Sequence, residues 1–157
     1  MYPERHDLNY QSQTAVAFFS VPYEALNNWS AHQVTVWGHT FPTAEHAFQW
    51  KKYSQTAPEV AVQILAAPSP WAAFQIAKAS KNRRPKTWDE DKVALMRQII
   101  LAKLEQNEDV QERLQSTGDR MIIENSPWDP FWGVGPNGDG QNNLGKLWSE
   151  LRKTTKR

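Results

Sequence analysis

The stretch FPTAEHAFQWKKY, Phe41–Tyr53, sets the fold of its region because it joins a turn to a helix. Gly38 and Pro42 are typical turn residues, and they are expected to frame a turn. Thr43 is a good N-cap, since its side chain can accept a hydrogen bond from a first-turn amide. We therefore predict a helix from about Ala44 to Ser54.

Three polar residues of this predicted helix share one edge. Helical side chains lean toward the N-terminus, so Lys52 is expected to reach back toward Gln49 and Glu45. Glu45 lies in the first turn, where the helix dipole favours a carboxylate. A carboxylate and an amine on one wall can bind a sugar and move a proton. The spacing leaves open the alternative of an ordinary first-turn glutamate and a solvent-facing lysine.

The pattern on either side of this helix predicts an α+β fold: a helix-rich single domain around a small β-sheet. Residues 1–14 are expected to be a flexible arm, with the domain over 15–157. Strands are expected at 15–20, 33–38 and 121–125. Helices are expected after Pro58, from Ser69-Pro70 to about Lys81, after Thr87, over about 109–116, and at Leu144–Leu151. Thr87 begins a T-x-x-E pattern that has the form of a capping box.

Composition excludes several classes of protein. The chain of 157 residues has no cysteine, so it has no disulfide, thiolate metal site or cysteine nucleophile. No apolar run is long enough for a membrane span, and the first residues lack the apolar region of a secretory signal, which fits a cytoplasmic protein. The net charge of +1 gives no global field for nucleic acid. Eight tryptophans favour a planar ligand, because their rings stack well on bases and sugars.

A glycine-rich segment, 126–143 (SPWDPFWGVGPNGDGQNN), is the second candidate site. Asp129 lies between Trp128 and Trp132, so a carboxylate is flanked by two stacking surfaces. Glycines such as Gly133 allow a ligand to approach the backbone closely. The segment runs into a helix start near Asn142 or Asn143, where free amides could bind an anion. The alternative is an ordinary glycine-rich surface turn.

Two further patterns carry weaker signals. The run KNRRPK, Lys81–Lys86, contains Arg84 and could bind phosphate, although a solvated linker is the alternative. His32, His39 and His46 recur every seven residues but fall in different predicted elements, so we expect no metal site. The sequence predicts no cofactor and leaves the oligomeric state open.

Several motifs together resemble the NADAR (YbiA-like) N-glycosidase family. They are FFS, F-P-T-A-E-H-A-F-Q-W-K-K, T-W-D-E, L-A-K-L-E-Q-N, E-N-S-P-W-D-P-F-W-G and G-x-G-Q-N-N-L-G-K-L-W-S-E-L-R. They run in family order from about Ala15 to Lys153, nearly the whole chain. The resemblance implies a YbiA-like fold and hydrolysis of the bond between a ribose and a nitrogen base.

The resemblance also implies substrates and site residues. Family substrates are phosphorylated intermediates of riboflavin biosynthesis or, in other members, ADP-ribosylated guanine in nucleic acid. The catalytic candidates are Glu45, Lys52 and Asp129. The substrate-binding candidates are Trp88, Trp132, Gly133, Asn143, Asn28 and Arg84.

The sequence departs from the family pattern at three places. The early segment that often reads L-S-N-F is L-N-N-W here, Leu26–Trp29, which bears on base preference. Pro85 stands where a basic residue is expected, so Arg84 or Lys86 is the candidate phosphate partner. Trp50 stands where the family often has a small or polar residue.

Two mechanisms and one rival function stay open. Glu45 either orients a water that attacks the ribose directly, or Lys52 traps the opened sugar as a Schiff base. The rival is a non-catalytic module that binds ADP-ribose or a modified base through the same tryptophans. A general nucleic-acid binder is disfavoured by the net charge of +1.

Overall fold

The computed structural model describes residues 6–19 and 24–155, which form an α+β fold, as predicted. These residues form six α-helices and five short strands, two more strands than the sequence predicted. The strands are β1 Tyr10–Gln11, β2 Ala15–Phe18, β3 Val34–Val36, β4 His39–Phe41 and β5 Met121–Glu124. The helices are α1 Ala44–Tyr53, α2 Pro58–Leu65, α3 Pro70–Ala79, α4 Trp88–Gln106, α5 Glu108–Ser116 and α6 Asn143–Thr155. None of the helices in these ranges is long and apolar enough to cross a membrane.

The chain divides into two compact units. The first is Ala31–Asn107, which holds β3, β4 and α1 to α4. The second combines the described part of Tyr2–Ser30 with that of Glu108–Arg157, and it holds β1, β2, β5, α5 and α6. Each unit has its own sheet: β3-β4 in the first, and β1-β2-β5 in the second.

The first unit begins with a β-hairpin that the sequence did not predict. β3 pairs antiparallel with β4, and Val36 lies opposite His39, so only Trp37 and Gly38 connect the strands. Both have positive φ, 53° and 78°. The predicted turn between Gly38 and Pro42 is wrong, because residues 39–41 form β4 and the chain reverses earlier. A bulky residue at positive φ is uncommon, so Trp37 gives no turn signal.

Helix α1 begins as predicted. Thr43 is extended, with φ −145° and ψ 164°, and its Oγ1 accepts a hydrogen bond from the amide of His46. The His46 ring is 1% exposed and its Nε2 lies 3.0 Å from the carbonyl of Ala67. A carbonyl only accepts, so Nε2 carries the proton and Nδ1 accepts from the Thr43 hydroxyl at 2.8 Å. Thr43 therefore caps the helix and also fixes the orientation of the His46 ring.

Helices α1, α2 and α3 share one apolar core. Its members are Tyr53, Ala57, Val60, Ala61, Ile64, Ala67, Ala73 and Ala77. The Tyr53 hydroxyl donates to the carbonyl of Ala77 at 2.6 Å, which satisfies the one polar atom of that side chain. Small alanines let the three helices approach closely, and each large side chain buried here contributes roughly 1.5–3 kcal/mol. This core gives α1 a rigid base.

Helix α4 begins at Trp88, but the capping box predicted at Thr87 does not form. Thr87 has φ −87° and ψ 4°, and its hydroxyl donates to Asp91 Oδ2 instead of accepting an amide. The amide of Trp88 donates to the carbonyl of Pro85, so a turn precedes the helix. An N-cap needs extended backbone, which this turn excludes. α3 ends at Ala79, and a 3₁₀ helix, Lys81–Arg83, follows it.

The second unit is built on a mixed three-stranded sheet. β1 pairs antiparallel with β2, and β2 pairs parallel with β5, with Ala15 opposite Met121. α6 lies close against β5, since a Cβ placed on Gly145 would come within 2.2 Å of the Ile122 carbonyl. Tyr10 and Gln11 of the predicted arm belong to β1, and residues 1–5 lie outside the described residues. The predicted domain bounds stay a prediction.

Candidate functional site

The first unit places a carboxylate and an amide side by side on α1. Gln49 Nε2 donates to Glu45 Oε1 at 2.8 Å, and the two side chains are 5% and 7% exposed. Residues four apart lie one above the other on a helix, so the contact follows from the spacing. The predicted shared edge of Glu45 and Gln49 is therefore present. A buried carboxylate held by an amide is suited to proton transfer with a bound ligand.

Lys52, on the same helix, lies against two neighbouring aromatic rings. Its Nζ is 5.5 Å from the ring centroid of Phe48 and 5.4 Å from that of Trp88. These two rings are 5.0 Å apart and tilted at 53°. They attract the ammonium through their faces and remove water from it. Lys52 is half-buried and not the solvent-facing lysine of the alternative reading.

Burial lowers the pKa of Lys52 to about 8, because removal from water disfavours the charged amine. The carboxylate of Glu45 opposes this shift, and the guanidinium of Arg84 adds to it. At neutral pH a useful fraction of the amine is therefore unprotonated. A lysine with a lowered pKa next to a carboxylate is a typical arrangement for a nucleophile or a general base.

Trp88 does not present the open stacking face expected of it. Its side chain is only 4% exposed, and its ring packs on Phe48 and Lys52. Phe48 was not among the predicted site residues, although its spacing of four from Lys52 was a usable signal. Together the two rings form the surroundings that lower the pKa of Lys52. Trp88 contacts the lysine, and its role toward a base stays a prediction.

Arg84 is the member of the basic run that acts on Lys52. Its guanidinium lies 3.5 Å from Asp89 Oδ2, a weak surface contact. Asp89 also accepts from Lys92 Nζ at 3.0 Å. Arg83 is paired with Glu59. Arg84 is thus loosely held and remains suited to a phosphate.

In the second unit, Asp129 anchors the glycine-rich segment. Its Oδ1 accepts the amides of Phe131 at 2.9 Å and Trp132 at 2.8 Å. Its own amide donates to the hydroxyl of Ser126. One carboxylate oxygen therefore holds the turn, and Oδ2 makes no hydrogen bond among the described residues. This leaves Oδ2 able to accept from a ligand hydroxyl.

Gly133 has a structural reason to lack a side chain. A Cβ there would lie 1.8 Å from Glu124 Oε2 and 2.6 Å from the Glu124 carbonyl. The amide of Val134 also donates to that carbonyl at 3.0 Å. Glu124 therefore fills the space beside the Gly133 Cα, where we expected a ligand to approach the backbone. The substrate-binding role of Gly133 stays a prediction.

The start of α6 is not the open anion site that the sequence suggested. The amides of Asn143 and Leu144 donate to the carbonyls of Phe131 and Trp132. Asn143 Nδ2 also donates to the Phe131 carbonyl at 3.0 Å. Asn142, at φ 51°, uses its side chain like a peptide group: it accepts from the Glu124 amide and donates to the Ile122 carbonyl. These first-turn amides therefore hold the segment itself.

Asn28 lies in a buried loop, and its side chain is 8% exposed. Two contacts within the second unit fix this loop. Arg113 makes a two-pronged ion pair with Glu24, at 2.9 and 3.0 Å, and Trp148 Nε1 donates to the Leu26 carbonyl. Among residues 6–19 and 24–155, no group of three or more His, Asp or Glu side chains is placed to hold a metal ion.

The structure thus brings Glu45, Lys52, Trp88 and Arg84 together in the first unit. The second unit holds Asp129, Trp132, Gly133, Asn143 and Asn28, and it brings the first four together in one hydrogen-bonded segment. Sequence reasoning noted Gln49 on the helical edge but did not count it as a site residue. Its hydrogen bond to Glu45 makes it part of one polar group on α1, formed by Glu45, Gln49 and Lys52 and called the α1 wall below.

Comparison with known proteins identifies the family of this chain. The NADAR domain matches residues 10–156. The N-glycosidase Npun_R5314 of Nostoc punctiforme is 33% identical over 141 residues, covering 88% of this chain and 90% of the relative. The N-glycosidase YbiA of Escherichia coli is 32% identical, covering 89% and 88%. A riboflavin biosynthesis protein, PYRR of Zea mays, is 30% identical over 83% of this chain and 23% of that protein.

The fold gives the same answer. The NMR structure of Escherichia coli YbiA matches with a TM-score of 0.81 and 30% identity, covering 94% of this chain and 88% of that one. The chain therefore belongs to the NADAR domain family, and it is a hydrolase that acts on N-glycosyl bonds.

Proposed function

We propose that this chain hydrolyses the bond between a ribose, either phosphorylated or part of ADP-ribose, and a nitrogen base. The observation that carries the proposal is the α1 wall: the buried Glu45–Gln49 pair, with Lys52 three residues further along and a pKa of about 8. Such a wall matches the chemistry, since cleavage builds positive charge on the ribose and needs proton transfer.

The substrate is a small nucleotide-like molecule from riboflavin biosynthesis or an ADP-ribosylated guanine. The riboflavin branch is supported by relatives from Vibrio vulnificus and Zea mays that are named riboflavin biosynthesis proteins. The guanine branch rests on the family resemblance. Within the first unit, Arg84 is the candidate for binding phosphate; within the second, Asp129 Oδ2 is the candidate acceptor for a hydroxyl. A cytoplasmic location stays a prediction.

The remaining candidates contact the base and the sugar. Trp132 is half-buried and offers ring surface for stacking, whereas Trp88 acts mainly by enclosing Lys52. Asn28 and Asn143 supply side-chain amides for the base, and the backbone at Gly133 shapes the segment that carries Trp132. No cofactor is needed for this hydrolysis.

Two routes are open to the wall. In the direct route, Glu45 takes a proton from water as the water attacks C1′ and the base departs. In the covalent route, the ribose ring opens and the Lys52 amine bonds to C1′. The base then leaves with a proton, and water releases the sugar from the imine. Both routes end in the same products.

The test incubates the purified chain with two substrates in parallel. One is ADP-ribosylated guanine in single-stranded DNA, and the other is the phosphorylated ribosylaminopyrimidine of flavin synthesis. Mass spectrometry follows the released base. We expect turnover of one substrate, lost in Glu45→Gln and retained in Glu112→Gln, an exposed glutamate on α5. Absence of base release from either substrate by the wild-type chain would contradict the proposal.

Borohydride separates the two routes. Reduction during turnover fixes an imine as a stable adduct, so the covalent route gives wild-type protein carrying one sugar on Lys52. Lys78→Met, at an exposed lysine on α3, keeps the adduct, and Lys52→Met loses it. An active enzyme without any adduct would leave the direct route.

A further inference from the structure

The side-chain amide oxygen of Gln49, Oε1, is buried and lacks a hydrogen-bond partner among the described residues. Its orientation is fixed, because Nε2 donates to Glu45 Oε1 at 2.8 Å and a carboxylate cannot donate in return. Flipping the amide would set two acceptors against each other. Gln49 Oε1 is therefore held as an open acceptor beside the carboxylate.

Leaving such a group unsatisfied costs roughly 1–3 kcal/mol. Buried polar groups in native proteins nearly always have a partner, often an ordered water with two or more polar contacts. Gln49 Oε1 is shielded from bulk solvent, and the whole side chain is 5% exposed. A water is small and can donate two hydrogen bonds, which suits a buried acceptor beside a carboxylate.

We propose that Gln49 is a positioning residue for the water that attacks the ribose; this inference rests on the proposed function. The water donates one hydrogen bond to Gln49 Oε1 and the other to the carboxylate of Glu45. Its lone pair is then free to attack C1′.

The step balances without any other reactant. The water oxygen bonds to C1′ while the C1′–N bond breaks, and the electron pair of that bond goes to the base. The water proton moves to Glu45 and then to the base nitrogen. In the covalent route the same water adds to the Lys52 imine, and the amine is the leaving group.

The first experiment compares Gln49→Met, which keeps the length of the side chain and removes the acceptor, with Gln63→Met on the exposed face of α2. We expect Gln49→Met to lower kcat about 10²-fold with KM unchanged, because misplacing a reactant slows the chemical step. Gln63→Met should behave like the wild type. A raised KM with unchanged kcat would overturn the inference and point to a sugar hydroxyl as the donor.

The second readout is the partition between water and methanol. Added methanol competes with water for C1′, and it has only one hydrogen to donate. We expect the wild type to favour the hydrolysis product and Gln49→Met to give a larger fraction of methyl riboside. An unchanged fraction would overturn the inference even if kcat falls, since a purely structural role does not alter the partition.

A crystal structure of the wild-type chain at about 1.5 Å resolution keeps the inference testable if Gln49→Met does not fold. We expect a water within about 3.2 Å of both Gln49 Oε1 and the Glu45 carboxylate. Its absence would overturn the inference. This result is independent of turnover, so failure of the proposed function and failure of the inference can be told apart.

Discussion

Helix α1 and the segment 126–143 both hold candidate site residues, but they are built in opposite ways. In α1 the candidate side chains act on one another: Gln49 Nε2 donates to Glu45 Oε1, and the Glu45 carboxylate acts electrostatically on Lys52. In the segment, side chains and first-turn amides hold the backbone: Asp129 Oδ1 accepts two amides. The polar side chains of α1 therefore lie toward one another, whereas those of the segment hold its own backbone.

Substitution of Glu45 should reduce activity more than any other change considered. Glu45→Gln keeps an oxygen that can accept from Gln49 Nε2, so the fold should be retained. It removes the charge and the proton acceptor, which we expect to lower kcat/KM by about 10²–10⁴-fold. Base release measured by mass spectrometry checks this. A loss below tenfold would show that the chemistry does not depend on the Glu45 carboxylate.

Lys52→Met should separate activity from stability. Turnover should be lost in the covalent route, while the melting temperature at pH 7 rises by a few degrees, roughly the effect of 1 kcal/mol or more. The reason is that the folded pKa of about 8 lies below the unfolded value of 10.5. The unfolded chain therefore binds more protons, and the charged lysine destabilises the fold below pH 8.

The same pKa predicts the pH profile. In the covalent route the free amine is the reactant, so kcat/KM should rise with pH and level off above about 8. Calorimetry on Lys52→Met gives the stability, and a series of buffers from pH 6 to 9.5 gives the profile. A melting temperature lower than that of the wild type would contradict the burial argument.

Substitutions in the segment 126–143 should lower the stability of the fold more than they lower activity. Gly133→Ala places a Cβ 1.8 Å from Glu124 Oε2 and 2.6 Å from a carbonyl, so backbone must shift. We expect a loss of about 1–3 kcal/mol in the free energy of unfolding, measured with urea. Gly138→Ala serves as a control for the loss of a glycine, because a Cβ there meets nothing within 4 Å, although its φ of 74° adds its own strain. Equal losses in both variants would mean that the contact with Glu124 is unimportant.

The smallest effect is expected at Asp129. Asp129→Asn retains an oxygen that can accept the amides of Phe131 and Trp132, so stability should change by less than about 1 kcal/mol. Asp129→Ala removes both hydrogen bonds and should cost more. Asp129→Asn should raise KM, because its amide nitrogen cannot accept a hydrogen bond from a hydroxyl as Oδ2 can. If it instead lowers kcat, the segment carries chemistry through Oδ2, and the contrast with α1 fails.

The sequence predicted α1 well because its signals are local. Thr43 as cap and the spacing of Glu45, Gln49 and Lys52 need only nearby residues. The hairpin at Trp37–Gly38 was missed because a tryptophan at positive φ carries no turn signal. The capping box predicted at Thr87 was wrong because the turn that begins at Pro85 sets the backbone angles of Thr87, and the T-x-x-E pattern does not include Pro85.

The sequence predicts which residue types form the candidate site better than it predicts the contacts between them. The carboxylate, the lysine and the loop aspartate were named from the sequence. The enclosure of Lys52 by Phe48 and Trp88 was not, because Trp88 comes from another helix. The close approach of Glu124 to Gly133 involves residues nine apart in an irregular loop, so no periodic pattern predicts it.

The half-buried lysine on α1 has a consequence for laboratory evolution. A selection for heat resistance alone rewards any replacement of Lys52 by an uncharged residue of similar length, since each removes a charge that the folded chain tolerates poorly. Clones enriched by such a selection would gain a few degrees in melting temperature and, if the covalent route operates, would lose turnover. A library built on this scaffold therefore needs a turnover screen at every round, with codon 52 held constant.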